Sequence, residues 1–320
     1  MLAFLKKKLQ VEGLTGVSLH PDGIAMAHIV RTDNKTPVLI FCDFHVCRSE
    51  GDLPSALATL VDEHHLANAQ CVSVLDSGSH NLLLIEAPDV EPTELKAAVR
   101  WRVKDLIDFH IDDAVIDVFE IPGQTVAGRA RLMYVVAVKN SVIQKYVNLV
   151  QDSELELSVI DIPELALRNI TAMLPEDEAG VAFLVLNSSG GMIALTRQST
   201  LYLTRNIDVE MQSVFNAAQA SDLDNPQLQG FFERIALETQ RSLDYYESHF
   251  AQPPITQLVI SPMEKNIPGL VDYVASNLGV SVRVLDLNAV MKCEHALSDQ
   301  QQSQCLLAIG GALRLEQKTL

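Results

Sequence analysis

Apolar residues fall into short runs at the start of the chain: Leu14–Leu19, Ile24–Arg31 and Val38–Phe44 read as three successive strands, with Pro21-Asp22-Gly23 as the first turn. From Leu53 the period lengthens. Leu57, Leu60, Val61 and His64 recur at helical spacing, with Asp52 placed to cap the helix. Val72–Leu75 and Leu82–Ile85 return to strand, the second as a buried one. Glu91–Phe109 reads as a single helix with Leu95, Ala98, Val99, Val103 and Leu106 on one face. Strand Val115–Ile121, a polar turn over Gly123–Ala130, buried strand Leu132–Val138, helix Val142–Asp152, strand Leu157–Ile160 and helix Ile162–Met173 follow. Pro175-Glu176-Asp177-Glu178 reads as a linker.

The pattern then restarts. Gly180–Leu186, Met192–Thr196 and Leu201–Ile207 are again three strands in quick succession. A long helix, Leu228–Phe250, carries Phe231, Phe232, Ile235, Thr239, Leu243, Tyr246 and Phe250 at helical spacing. Strand Ile255–Ile260, helix Gly269–Leu278, strand Val280–Leu285 and a last helix over Leu306–Leu315 close the chain. Three strands followed by alternating helix and strand, twice over, predict an internally duplicated α/β chain. Its expected division is a first domain with an inserted subdomain over 1–174, a second over 175–300, and a C-terminal helix over 301–320 packing back between them.

Composition narrows the class. A length of 320 residues suits two cores, and 48% apolar residues with only 5% aromatics leave Val, Ile, Leu and Ala to fill them. A net charge of −17 argues against a nucleic-acid partner and against broad adhesion to anionic lipid. No stretch reaches the ~18–20 apolar residues of a membrane span. In Met1-Leu2-Ala3-Phe4-Leu5-Lys6-Lys7-Lys8 the apolar residues precede the lysines, the reverse of a secretory signal. That end reads as solubilising, with a membrane-surface touch as the alternative, and the cytoplasm as the expected compartment. Five scattered cysteines, Cys42, Cys47, Cys71, Cys293 and Cys305, fit reduced thiols. Cys42 and Cys47 fall on opposite faces of one strand, and His64 and His65 point about 100° apart on a helix, so neither pair reads as a metal site. The chain has no P-loop, no Gly-x-Ser-x-Gly elbow and no His-Glu-x-x-His.

Particular stretches narrow it further. Leu95-Lys96-Ala97-Ala98-Val99-Arg100-Trp101-Arg102 leads to Ile107-Asp108-Phe109 and Val115-Ile116-Asp117. Val159-Ile160-Asp161-Ile162-Pro163-Glu164-Leu165-Ala166-Leu167-Arg168-Asn169 would link the halves. Leu201-Tyr202-Leu203-Thr204-Arg205-Asn206-Ile207, Glu238-Thr239-Gln240-Arg241-Ser242-Leu243-Asp244-Tyr245-Tyr246, Ile267-Pro268-Gly269-Leu270 and Ala308-Ile309-Gly310-Gly311-Ala312-Leu313-Arg314 follow in order. Their collinear run resembles the PilM family of type IV pilus assembly proteins, most closely its MSHA-type branch. The resemblance implies a duplicated actin-like (ribonuclease-H-like) fold, two domains with mixed five-stranded-type sheets flanked by helices.

In nucleotide-binding members of that superfamily two hairpins offer backbone N–H groups to phosphates, and an aspartate in the first organises Mg²⁺. Here Gly16-Val17-Ser18-Leu19-His20 stands at the first hairpin, with Ser18 for the aspartate and His20 for a glycine. Val185-Leu186-Asn187 stands at the second, and Ser261-Pro262-Met263-Glu264 at the adenosine turn. Pro262 fixes φ and removes a donor. What remains of a cleft is Ser18, His20, Ser188, Ser189, Gly190, Gly191, Gly310 and Gly311. The resemblance therefore implies a pseudo-ATPase scaffold with no catalytic residue, no metal and no resident ATP/Mg. An actin-like ATPase or filament former that keeps its nucleotide, with Asp22 as the nearest Mg²⁺ carboxylate, is the alternative. The implied partners are the cytoplasmic N-terminal peptide of a PilN-like inner-membrane protein and other pilus platform proteins. They would hold the chain at the inner membrane. Candidate anchors for the peptide are Trp101, Asp108 and Phe109.

Overall fold

Two sheets share one strand order. The computed structural model describes residues 11–31, 36–124, 130–188, 190–219 and 225–315. The first half runs β1 (Leu14–His20), β2 (Gly23–Arg31), β3 (Pro37–Val46), α1 (Leu53–Glu63), β4 (Gln70–Val74), β5 (His80–Glu86), α2 (Leu95–Val103), β6 (Ala114–Glu120), β7 (Leu132–Lys139), α3 (Asn140–Gln151), β8 (Glu156–Asp161) and α4 (Pro163–Thr171). The second runs β9 (Val181–Asn187), β10 (Gly190–Arg197), β11 (Thr200–Ile207), α5 (Met211–Gln219), α6 (Pro226–Phe250), β12 (Gln257–Ile260), α7 (Leu270–Leu278) and β13 (Ser281–Val284). Then follow α8 (Leu287–Val290), β14 (Lys292–Cys293), α9 (Asp299–Gln304) and α10 (Leu306–Ala312). The first sheet orders β14-β3-β2-β1-β4-β8 and the second β11-β10-β9-β12-β13. Without β14 the two orders are the same, an antiparallel meander followed by two parallel strands, which is the duplicated actin-like plan.

The strands at the centre of each sheet read as near-continuous apolar runs because both their faces are covered. Val17, Ile24, Ala25, Met26 and Ala27 are fully buried, as are Val181, Phe183 and Leu184 in the second sheet. α6 is set by its N-cap, where the Asn225 side chain accepts from Gln227 N at 2.9 Å and Pro226 follows. Its inner stripe meets β11 through Tyr202 and Tyr246, ring centroids 5.4 Å apart and edge to face. On the same helix Glu238 holds Arg205 at 3.3 Å and Arg241 at 2.7 Å, so one carboxylate joins the Leu201–Ile207 and Glu238–Tyr246 stretches.

β5, β7 and β6 form a separate three-stranded sheet inserted between β4 and α3. α2 covers one face through Val99 and Val103. Tyr134 and Ile121 from the insert belong to the core of the second half, and Tyr134 OH donates to the Tyr202 carbonyl at 3.1 Å. His80 Nε2 stands 3.0 Å from Glu164 Oε2 in a fully buried pair, tying the insert to α4 as well.

The halves meet where α10 lies on β1 and crosses α4. A Cβ on Gly16 would collide with the Ala308 carbonyl, and one on Gly310 with the Ala166 carbonyl. Asn169 Nδ2 donates to Gly310 O at 2.9 Å across the same crossing. Arg314 Nη1 reaches Asp161 Oδ2 at 2.5 Å, with both side chains largely buried. Burial pushes the Asp161 carboxyl up and the guanidinium opposes that shift.

Four expectations need correction. The helix over Glu91–Phe109 is only α2, nine residues, because the insert offers a face that buries Val99 and Val103 while Leu106 stays 56% exposed. Asp52 does not cap α1: its φ of −83° and ψ of −18° are helical, and its carboxylate accepts from Arg48 N and Ser49 N in a capping box on the preceding turn. Pro175–Glu178 is a pinned 3₁₀ turn, not a free linker. Asp177 is buried and accepts from Ser199 N at 2.6 Å and from Thr196 Oγ1 at 3.1 Å. The chain also returns to the first sheet before residue 300, because Lys292 and Cys293 pair with Val38 and Leu39 as a sixth strand. Residues 1–10 lie outside the described residues, as does most of the Gly123–Ala130 turn.

The glycine seam sets opposite signs for two glycine-to-alanine changes. Gly16→Ala is expected to cost about 1–3 kcal/mol by overpacking backbone against backbone. Gly230→Ala, on the exposed face of α6 with nothing within 4 Å, is expected to stabilise by about 0.5–1 kcal/mol. Urea midpoints of the two variants check both.

Candidate functional site

The cleft between the halves is bounded by the β1–β2 hairpin, the β9–β10 hairpin and the loop after β12. In the first hairpin Ser18 is buried within β1, opposite Ala25, and His20 closes the strand opposite Gly23. The structure brings these two candidates together: Ser18 Oγ lies 3.4 Å from His20 Nε2. The imidazole stands edge-on to Phe44, ring centroids 5.3 Å apart. His20 thus occupies the corner that a glycine would leave open. Its burial lowers the imidazole pKa, against the raising effects of Asp22 and the Gln304 backbone.

In the second hairpin Asn187 pairs with Gly190 across a two-residue turn. Ser188 is exposed at its tip, and Ser189 lies outside the described residues. Gly190 takes a φ of +135°, a conformation open to glycine. Gly191 packs beneath Ile207 and Leu186. Gly310 and Gly311 stand elsewhere: both are buried within α10, Gly310 against Ala166 and Gly311 against Val74, so their role is the helix crossing and not a cradle. That corrects their reading as cleft residues. A Gly-Gly pair looks the same in sequence whether it lets a phosphate or a helix approach.

In the third loop Ser261 N donates to Leu184 O at 2.8 Å, fixing Pro262 against the sheet. Desolvation and the Asp22 charge push the Glu264 carboxyl above the ordinary carboxylate range. The neighbouring Lys265 opposes that shift. Among the described residues no three His, Cys, Asp or Glu side chains are grouped to hold a metal ion. MgATP does not fit this set. The first hairpin offers the buried Ser18 hydroxyl and the His20 imidazole, not a carboxylate for Mg²⁺ and an open backbone for phosphate.

Beside the second hairpin lies a pocket of about 290 Å³. Pro163, Leu167, Val185, Met192 and Leu307 floor it, and Ser77, Asn206 and Asp208 stand at its rim. Its members come from β4–β5, α4, β9–β11 and α10, too scattered for any sequence pattern to have assembled.

The three peptide-anchor candidates lie on the insert. Trp101 is 73% exposed on the outer face of α2, with Lys104 Nζ 5.0 Å above its ring. Phe109 is half-buried under Lys139 Nζ at 5.3 Å, and Asp108 accepts from Asn81 Nδ2 at 3.5 Å. Asp108 and Phe109 stand together at the end of the inserted sheet; Trp101 stands apart on the helix. Among the described residues no helix is long and apolar enough to cross a membrane.

No family model matches the chain, and no curated protein matches it by sequence. Among solved structures, a chain of a PilM–PilN type IV pilus biogenesis complex is similar over 95% of this chain and 98% of its own, with a TM-score of 0.73 at 17% identity. The cytoplasmic domain of EpsL, an inner-membrane component of the type II secretion system of Vibrio cholerae, is similar over 93% of each chain, with a TM-score of 0.50 at 12% identity. The likeness establishes the actin-like fold over nearly the full length.

The buried imidazole sets a pH dependence. A folded-state pKa below the ordinary 6.5 means the unfolded chain binds the proton more readily. The contribution is therefore present above about pH 6.5 and lost as pH falls through the folded value. His20→Gln is expected to flatten the fall of stability below pH 6.5, by up to about 1.4 kcal/mol per pH unit. Denaturant titrations across that range check it.

Proposed function

We propose that the chain is a cytoplasmic scaffold of a type IV pilus inner-membrane assembly platform, of the MSHA type. It would bind the cytoplasmic N-terminal segment of a PilN-like membrane protein and dock other platform proteins without turning over nucleotide. The collinear motifs support the family reading, and the fold shared with a chain from a PilM–PilN complex agrees with it. The acidic balance suits a partner segment carrying Lys or Arg near the membrane, which speeds encounter more than it tightens binding.

Trp101 is the observation that carries the adaptor reading. It is the single tryptophan of the chain, and α2 turns it away from the stripe that packs on the insert. A tryptophan is commonly buried, and one left 73% exposed gives a partner a ready anchor. Phe109 supplies a second, partly covered ring. A segment that orders on binding gains affinity from a few such anchors and not from area.

The lack of nucleotide turnover is supported by the cleft. A catalytic actin-like site needs Mg²⁺ held by oxygen ligands and backbone N–H groups free to meet phosphate. Ser18 and His20 provide neither.

Trp101 emission reports binding directly. Titration with a synthetic peptide of a PilN-like cytoplasmic N-terminus is expected to blue-shift it. Trp101→Ala, followed by anisotropy of a labelled peptide, is expected to weaken binding about 30-fold, the cost of losing an anchor near 2 kcal/mol. Its melting temperature should not change, because the ring covers no core. Unaltered affinity in both Trp101→Ala and Phe109→Ala would overturn the assignment of the anchors.

A further inference from the structure

We infer that the pocket beside the second hairpin receives an apolar side chain from a partner peptide whose neighbouring cation pairs with Asp208. This site is separate from the Trp101 face and does not depend on it.

Size comes first. Small-molecule sites span roughly 300–1,000 Å³, and this pocket, about 290 Å³, stands at the lower edge. That is ample room for an aliphatic side chain. Its floor is apolar and preformed: Pro163 and Leu167 come from α4, Val185 and Met192 from β9 and β10, and Leu307 from α10. All but Leu307 are buried, so an entering methyl-bearing group meets fixed packing partners and releases water from apolar surface.

Charge decides what accompanies that group. Among the described lining residues there is no Lys, Arg or His, and Asp208 is the one charged side chain. It is exposed at the rim, and no cation among the described residues pairs with it. A phosphate in the pocket would meet Asp208 with no cation among the described lining residues to offset it. A lysine, an arginine or an α-amine would gain a charge-assisted hydrogen bond from Asp208. An apolar residue beside a basic one fits floor and rim together. A peptide is the fitting source, since its backbone can meet the polar rim at Ser77 and Asn206.

Backbone amide shifts of Gly190, Gly191 and Asn206 in the isotope-labelled full chain test this. The probes are acetyl-Lys-Leu-Leu-Lys-amide, its Lys-Gly-Gly-Lys and Glu-Leu-Leu-Glu counterparts, and inorganic pyrophosphate. The Lys-Leu-Leu-Lys peptide is expected to move the three amides, and the other probes to leave them in place. Asp208→Asn should weaken that binding about tenfold, the loss of one charge-assisted bond. Asp244→Asn, on exposed α6, removes the same charge elsewhere and should change nothing. Equal affinity in Asp208→Asn, equal binding of the glycine peptide, or silence of the three amides towards Lys-Leu-Leu-Lys would each overturn the proposal. Movement of those amides by pyrophosphate would do so too, by returning the hairpin to phosphate.

Discussion

Everything in this molecule is arranged around the contact of α10 with β1 and α4, where backbone meets backbone without side chains between. Gly16 and Gly310 permit that approach, and a single methyl at either would strike a carbonyl oxygen. Removing side chains shortens the distance at which dispersion acts and lets Ala308, Ile309 and Ala312 sit in the core under the first sheet. The Asp161–Arg314 pair closes the same seam. Burying two charges is costly, so the pair contributes little net stability, but loss of either partner would strand the other. It fixes the place of the crossing more than it strengthens it.

That seam joins three bodies. The C-terminal segment leaves the second sheet at β13, adds β14 to the edge of the first and returns as α10. The insert leans on the second half through Tyr134 and on α4 through His80 and Glu164. A cleft that opens and closes on a ligand needs a hinge with few ties. Here the hinge helices carry a glycine seam, two buried polar links and a shared core. His20 fills the corner of the first hairpin, edge-on to Phe44 and 3.4 Å from Ser18. Each feature alone is a modest effect, and all act in the same direction.

The duplicated fold was legible in the sequence because its central strands are covered on both faces and so appear as uninterrupted apolar runs. The long helix α6 was legible from its 3.6-residue stripe. Other elements were hidden for physical reasons. β14 is two residues long and exists only because β3 offers an edge, so no local pattern encodes it. α5 carries Met211, Val214, Phe215 and Ala218 at helical spacing, a signal present but obscured by its polar neighbours. α2 was overextended because Leu106 continues the apolar period after the insert has run out of surface to cover. At the site, the presence of Ser18 and His20 in the first hairpin was legible residue by residue. The packing of His20 against Phe44 was not, because it depends on how β3 lies beside the hairpin. Nor was the true place of Gly310 and Gly311, since tertiary contact alone separates a cradle from a crossing.

A thermal melt of the purified chain with and without excess MgATP, on protein shown to carry no nucleotide, tests the claim that this cleft is a fixed joint. A ligand at about 100 times its Kd adds about 2.7 kcal/mol. In a chain of this size each kcal/mol moves Tm by roughly 2 °C or slightly more. The fixed joint predicts no shift. A rise of about 5 °C would contradict it and make nucleotide part of the working structure.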